Sequence, residues 1–132
     1  MNRLTKFSSN IPIGMRIFEQ GIDVAELNER HHAARKFVKR HRRRIYLDRI
    51  RDKKDGTSAI RVIGKSKGWF LESSQCIGYL PADIAEKLVR ANLENKVKAR
   101  LQMISIDDKH TLAIRFDIFG PKDDYERYRS NP

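Results

Sequence analysis

The chain has 132 residues, 39% hydrophobic and 34% charged, which supports one modest core and excludes a disordered polymer. Its net charge of +11 implies a polyanionic partner, whether DNA, RNA or an anionic membrane surface. The single cysteine, Cys76, excludes an internal disulfide and a thiolate zinc site, and no apolar run approaches the roughly 18 residues of a membrane span.

Met1 to Asn10 carries no secretory pattern, so an intracellular protein, cytoplasmic or nucleoid-associated, is expected. Residues 1–14 read as a loose N-terminal arm. From Met15 to Leu27 apolar residues fall on alternate positions around Gly21, which predicts a strand bulged at the glycine. Asn28 is a candidate N-cap for a helix ending near Arg42. Ala33, Ala34, Phe37 and Val38 form its apolar arc, and His41 falls inside it. Arg35, Lys36, Lys39, Arg40 and Arg43 occupy the opposite arc.

Ile45 to Leu47 starts a strand, and Arg51 to Ser58 is a polar turn centred on Asp55-Gly56. Ala59 to Ile63 is a strand, Gly64 to Gly68 a loop, and Gln75 to Tyr79 a further strand. Pro81 opens a second helix with Ile84, Ala85, Leu88, Val89 and Leu93 as its buried stripe, ending at Asn95. Val97, Ala99, Leu101 and Met103 then alternate with polar residues, and after Asp107-Asp108-Lys109 so do Leu112, Ile114, Phe116 and Ile118. Period two in both runs predicts a hairpin. Pro121 stops the sheet, leaving a domain over 15–121 and a polar tail over 122–132. The expected fold is α+β, a small OB-like antiparallel β-barrel with two helices.

The charge is local. Between Arg30 and Lys54 stand 12 positive residues against Asp48 and Asp52, which accounts for +10 of the total +11. The second helix carries mixed signs outside, whereas the first carries only positive charge there. Like charges at i,i+4, as in Lys36 and Arg40, repel by a few tenths of a kcal/mol each unless an anion lies on that face. Tyr46, Trp69, Phe70 and Tyr79 lie near this stretch. Basic grooves with aromatic faces are how single-strand binders work. Phe37, Phe116 and Phe119 read as core, Tyr46 as packed, and Trp69 as open to either role.

The inventory of catalytic groups is thin. His31, His32, His41 and His110 show no ligand spacing, and no glycine loop suits a phosphate. Asp107-Asp108 and Asp123-Asp124 read as turn and tail residues, and Cys76 as buried and inert. No catalysis, cofactor or metal is expected.

Ile77-Gly78-Tyr79-Leu80-Pro81-Ala82-Asp83-Ile84-Ala85 resembles the signature turn into the second helix of HIRAN domains. Ala59-Ile60-Arg61-Val62 resembles the family's strand before that turn, Arg49 its arginine ahead of the polar turn, and Val24-Ala25 its first strand. The closing hairpin through Phe119-Gly120 also fits, so the resemblance runs over about 16–120. It implies an OB-like barrel with packed helices, and an association with helicase or nuclease modules of the kind that serve DNA repair. It further implies single-stranded or 3′-end DNA binding through the polar turn, aromatic faces and Tyr79. The turn departs from the family pattern: Ser58 takes an asparagine's place, Asp55 is displaced from the family aspartate, and Glu26 stands where glycine is frequent.

The resulting expectation is a nucleic-acid-binding module, DNA favoured over RNA, with Arg35, Lys36, Lys39, Arg40, Arg43, Arg49, Lys53, Lys54, Asp55, Trp69 and Tyr79 as its contact residues. An RNA-binding or ribosome-associated basic protein, and an adaptor for an acidic protein, are the alternatives.

Overall fold

The computed structural model describes residues 3–7, 9–27, 31–39, 41–51, 58–67, 71–107 and 112–130. In chain order the elements are β1 (Arg3–Lys6), β2 (Met15–Asp23), α1 (His31–Val38), β3 (His41–Arg51), β4 (Ser58–Lys67) and β5 (Glu72–Tyr79). These are followed by α2 (Ala82–Arg90), β6 (Lys98–Ile106), β7 (Leu112–Pro121), a 3-10 turn (Lys122–Asp124) and α3 (Tyr125–Ser130). The fold is α+β with two antiparallel sheets, one ordered β1-β6-β7-β2 and the other β3-β4-β5.

The hairpin predicted at the end of the chain is β6 and β7. Leu112, Ile114, Phe116 and Ile118 all face the core. On β6 the alternation breaks at a register shift between Leu101 and Met103. Val97 and Leu101 point inward, but beyond the shift Ile104 takes the core position that Met103 was expected to hold. An inserted residue in one strand turns every later side chain to the other face.

β2 carries the predicted irregularity. Its register against β7 shifts on either side of Glu19, and Gly21 has φ +65, in the region that favours glycine. That bend aims the Gly21 N–H at Asp117 Oδ1, 2.9 Å away. Asp117 is 1% exposed, in the middle of β7, and Arg100 Nε donates to its other oxygen at 2.8 Å. A carboxylate buried this deeply persists only with such partners.

Four expectations about the two ends of the chain, the first helix and the loop expected from Gly64 need correction. The loose arm contains β1, paired from Arg3 with Ile106 to Lys6 with Met103. The polar tail contains α3, whose Tyr128 is buried. Its ring stacks on Phe18 with centroids 5.3 Å apart, and its hydroxyl donates to Glu19 Oε1 at 2.6 Å. The first helix stops at Val38 rather than near Arg42, and His41 to Arg44 begin β3. A ladder running from His41–Lys67 to Arg51–Ser58 outweighs one more helical turn of mutually repelling cations. Finally, Gly64 to Lys67 are strand, not loop. A Cβ on Gly64 would lie 2.8 Å from Phe37 Cδ1, so this glycine makes room for α1 against the sheet rather than turning the chain.

α2 follows Pro81, which precedes the first helical residue. Ala85 and Leu88 are buried, while Ile84 and Val89 are half-buried. It ends at Arg90, not Asn95, in a Schellman motif: Asn92, at φ 57, donates to Val89 O, and Leu93 donates to Leu88 O. Leu93 is thus buried from beyond the helix. The Asn28 cap lies outside the described residues.

Burial raises the Tyr128 phenol far above its ordinary pKa of 10.0, and the hydrogen bond to Glu19 adds to the effect. A raised pKa means the folded state keeps its proton when the unfolded state gives it up. The contribution of Tyr128 is therefore whole below pH 10 and is lost as pH rises above it. Urea unfolding at a series of alkaline pH values is expected to show a steeper loss of stability in the wild type than in Tyr128→Phe. Parallel curves would refute the assignment.

Candidate nucleic-acid interface

The pleat of β3 sorts the basic segment. Ile45 is buried and Leu47 half-buried, on the core face opposite Gly64 and Val62. Arg44, Tyr46 and Asp48 therefore project from the outer face, opposite Lys65, Ile63 and Arg61. β5 continues this face, with Tyr79 paired to Arg61 and Cys76 to Ile63. Tyr46 is 42% exposed, contrary to the packed role expected of it. Lys65 Nζ stands 5.2 Å from its ring centroid, a cation held over an aromatic face. Asp48 receives a hydrogen bond from Arg61, and this contact holds the guanidinium pKa above its ordinary value. Arg44 lies 3.7 Å from Glu72, with both side chains more than half exposed. Exposed pairs of this kind are worth little, so a phosphate can take the carboxylate's place.

Beside this face runs a concavity of about 330 Å³ between β3 and β6. Ile45, Ala99, Leu101 and Phe119 contribute its apolar lining, Phe7 and Tyr46 its accessible rings, and Arg43, Arg44 and Arg100 its charge. Phe7, Ser9 and Asn10 form one wall. Phe7 N donates to Gln102 O at 2.9 Å, which extends the β1–β6 ladder, and Arg100 Nη1 donates to Ser9 O at 2.6 Å. Arg43 sits 5.1 Å above the Phe7 ring, and its Nη1 donates to Val38 O at 2.9 Å, satisfying the last carbonyl of α1.

The six expected contact residues that lie among the described residues do not form one patch. Lys36 and Lys39 are exposed on and just after α1, and Arg35 is half-buried with a partner. Arg43 leads into the groove from β3 rather than from the helix face. Arg49 projects inward on the same face as Ile45, and its guanidinium meets the carboxylate of Glu94, which is buried. The Schellman turn after α2 delivers that carboxylate. Arg49 therefore neutralises an internal charge before it can meet any phosphate. Tyr79 is half-buried on β5, joined to Ala25 by a two-way backbone pair. Arg40, Lys53, Lys54, Asp55 and Trp69 lie outside the described residues. From Arg44 to Arg51 the strand runs roughly 23 Å at about 3.3 Å per residue, so the two ends of β3 lie far apart.

Sequence reasoning missed Phe7, Tyr46, Arg61, Lys65 and Arg100. For Tyr46 a signal was present: Arg44, Tyr46 and Asp48 alternate with Ile45 and Leu47, the pattern of a half-buried strand. For Phe7 and Arg100 there was none, because they meet only through the β1–β6 pairing.

Among the described residues, no group of three or more histidine, cysteine or acidic side chains is placed to hold a metal ion. No helix among them is long and apolar enough to cross a membrane. Comparison with family models, with curated proteins and with solved structures finds no match to the chain.

Proposed function

We propose that this chain is a HIRAN-like module that binds single-stranded nucleic acid, DNA in preference to RNA, and that it serves a helicase or nuclease rather than catalysing a reaction itself. The observation that carries this reading is the outer face of β3, β4 and β5. There Tyr46 and Tyr79 share one surface with Arg44, Arg61 and Lys65, continuous with the cation-lined groove. Bases stack on rings while phosphates meet cations, and neither contact requires a particular sequence. Guanidiniums and a polar–aromatic surface suit a strand better than an acidic protein patch.

The OB-like barrel and the family kinship belong to the same proposal. The Ala25–Tyr79 pair joins the two sheets on one side, and β3 lies against β6 on the other. Glu26 takes φ 58 at the position where the family favours glycine. A Cβ on Gly78 would lie 2.5 Å from the Ala25 carbonyl oxygen, which accounts for a glycine beside the tyrosine of the signature turn.

The deciding experiment is a fluorescence anisotropy titration with single-stranded DNA, duplex DNA and structured RNA of equal length. Single-stranded DNA is expected to bind tightest, and blocking its 3′ hydroxyl lowers affinity if end capture is part of the mode. Tighter binding of structured RNA would instead favour an RNA-binding or ribosome-associated protein, and no binding to any of the three would refute the reading.

A further inference from the structure

We propose that the groove between β3 and β6 seats one unstacked nucleotide of the bound strand. This rests on the single-strand reading above and adds a place where a base leaves the stack. The groove adjoins the outer face, with which it shares Arg44 and Tyr46.

The volume of about 330 Å³ is at the lower end of small-ligand pockets, enough for one nucleotide and too little for a stacked pair. A nucleotide needs flat apolar contact for the base, a polar edge, and cations for the phosphate. The Phe7 and Tyr46 rings and the Ile45 floor supply the first, the Asn10 amide the second, and the three arginines the third. Two of these guanidiniums are fixed before any ligand arrives. Arg43 is tied to Val38 O and lies over Phe7; Arg100 is tied to Asp117 and Ser9 O. A guanidinium has five donors, so both retain N–H groups beyond those bonds. Charge held in place ahead of binding avoids the ordering cost that a free surface arginine incurs. An apolar peptide or lipid chain would gain nothing from three cations around the cavity. Tyr46 belongs to both surfaces, so a strand lying on the outer face passes the groove mouth at that ring.

The test uses the full chain, a fluorescein-labelled oligothymidylate and its 5-iododeoxyuridine counterpart for photocrosslinking. Asn10 is exposed and lines the groove, so Asn10→Glu places a carboxylate there at a position outside the core. Gln20→Glu makes the same change in net charge at an exposed position on β2, the far edge of its sheet from β1. Asn10→Glu is expected to weaken binding about 5- to 10-fold. Gln20→Glu is expected to stay within about 2-fold of the wild type, where only screened, long-range charge acts. The wild type should crosslink at Phe7, which lines the groove and not the outer face. Equal affinity of the two variants, or crosslinks confined to Tyr79, would overturn the nucleotide seat while leaving the single-strand reading intact. Failure of the wild type to bind oligothymidylate overturns both. Thymidine monophosphate serves as the remaining arm: millimolar binding fits a strand nucleotide, whereas saturation at micromolar concentration would assign the groove to a free nucleotide instead.

Discussion

Arg49→Ala is expected to lower the free energy of unfolding by about 3–5 kcal/mol, the usual cost of leaving a buried charge without its partner. Glu94 is 8% exposed, and its Oε2 already lacks a hydrogen-bond partner, so the Arg49 contact carries its neutralisation. A domain of this size has about 5–15 kcal/mol in hand, so the loss is a large share of it. Urea unfolding followed by circular dichroism measures it directly. Replacing both partners, with Arg49→Met and Glu94→Leu, is expected to recover most of the loss, because an apolar pair of similar volume often matches a buried ion pair. If Arg49→Ala unfolds like the wild type but loses DNA binding, Arg49 serves the phosphate after all. The phosphate contact expected from the sequence and the buried ion pair in the structure thus make opposite predictions for this one side chain.

Binding to single-stranded DNA is expected to fall about 50-fold between 50 and 200 mM monovalent salt, the drop given by about four neutralised phosphates at a slope near −0.7 each. Lys36 and Lys39 on one side and Arg43, Arg44, Arg61 and Lys65 on the other supply enough cations for that number. Each released counterion contributes to the slope, so Lys36→Glu with Lys39→Glu should flatten it by about 1.4 if both lysines meet phosphates. Anisotropy titrations at four salt concentrations give both slopes. An affinity that does not change with salt would mean that ring stacking alone holds the strand. An unchanged slope in the double variant would take α1 out of the interface.

What the sequence made legible is what local periodicity encodes. The apolar arc of α1, the core of α2 and the β6–β7 hairpin all rest on residues within a few positions of one another. Elements that exist only through distant partners left no such mark. β1 has four residues and no alternation of its own, and it forms because β6 offers an edge. Tyr128 looks like a tail residue until Phe18 and Glu19 are placed beside it. Gly64 carries a turn signal in sequence, yet it answers a packing demand from Phe37. The candidate site shows the same division. Its cations were evident from composition, but the run of like charge concealed that the pleat sends Arg44 outward and Arg49 inward. The groove could not be anticipated, since it lies between strands drawn from three distant parts of the chain.

The pairing of β1 with β6 also governs when each half of the fold can assemble during synthesis. β3, β4 and β5 are consecutive, so their sheet has all its partners as soon as Tyr79 has left the ribosome. Leu4 must wait for Ser105, and at translation rates of about 5–20 residues per second that delay is roughly 5–20 seconds. The outer face bearing Tyr46 and Tyr79 can thus exist before the groove does. Phe7 and Arg100 complete the groove only near the end, so in a nascent chain the exposed face precedes the concavity beside it.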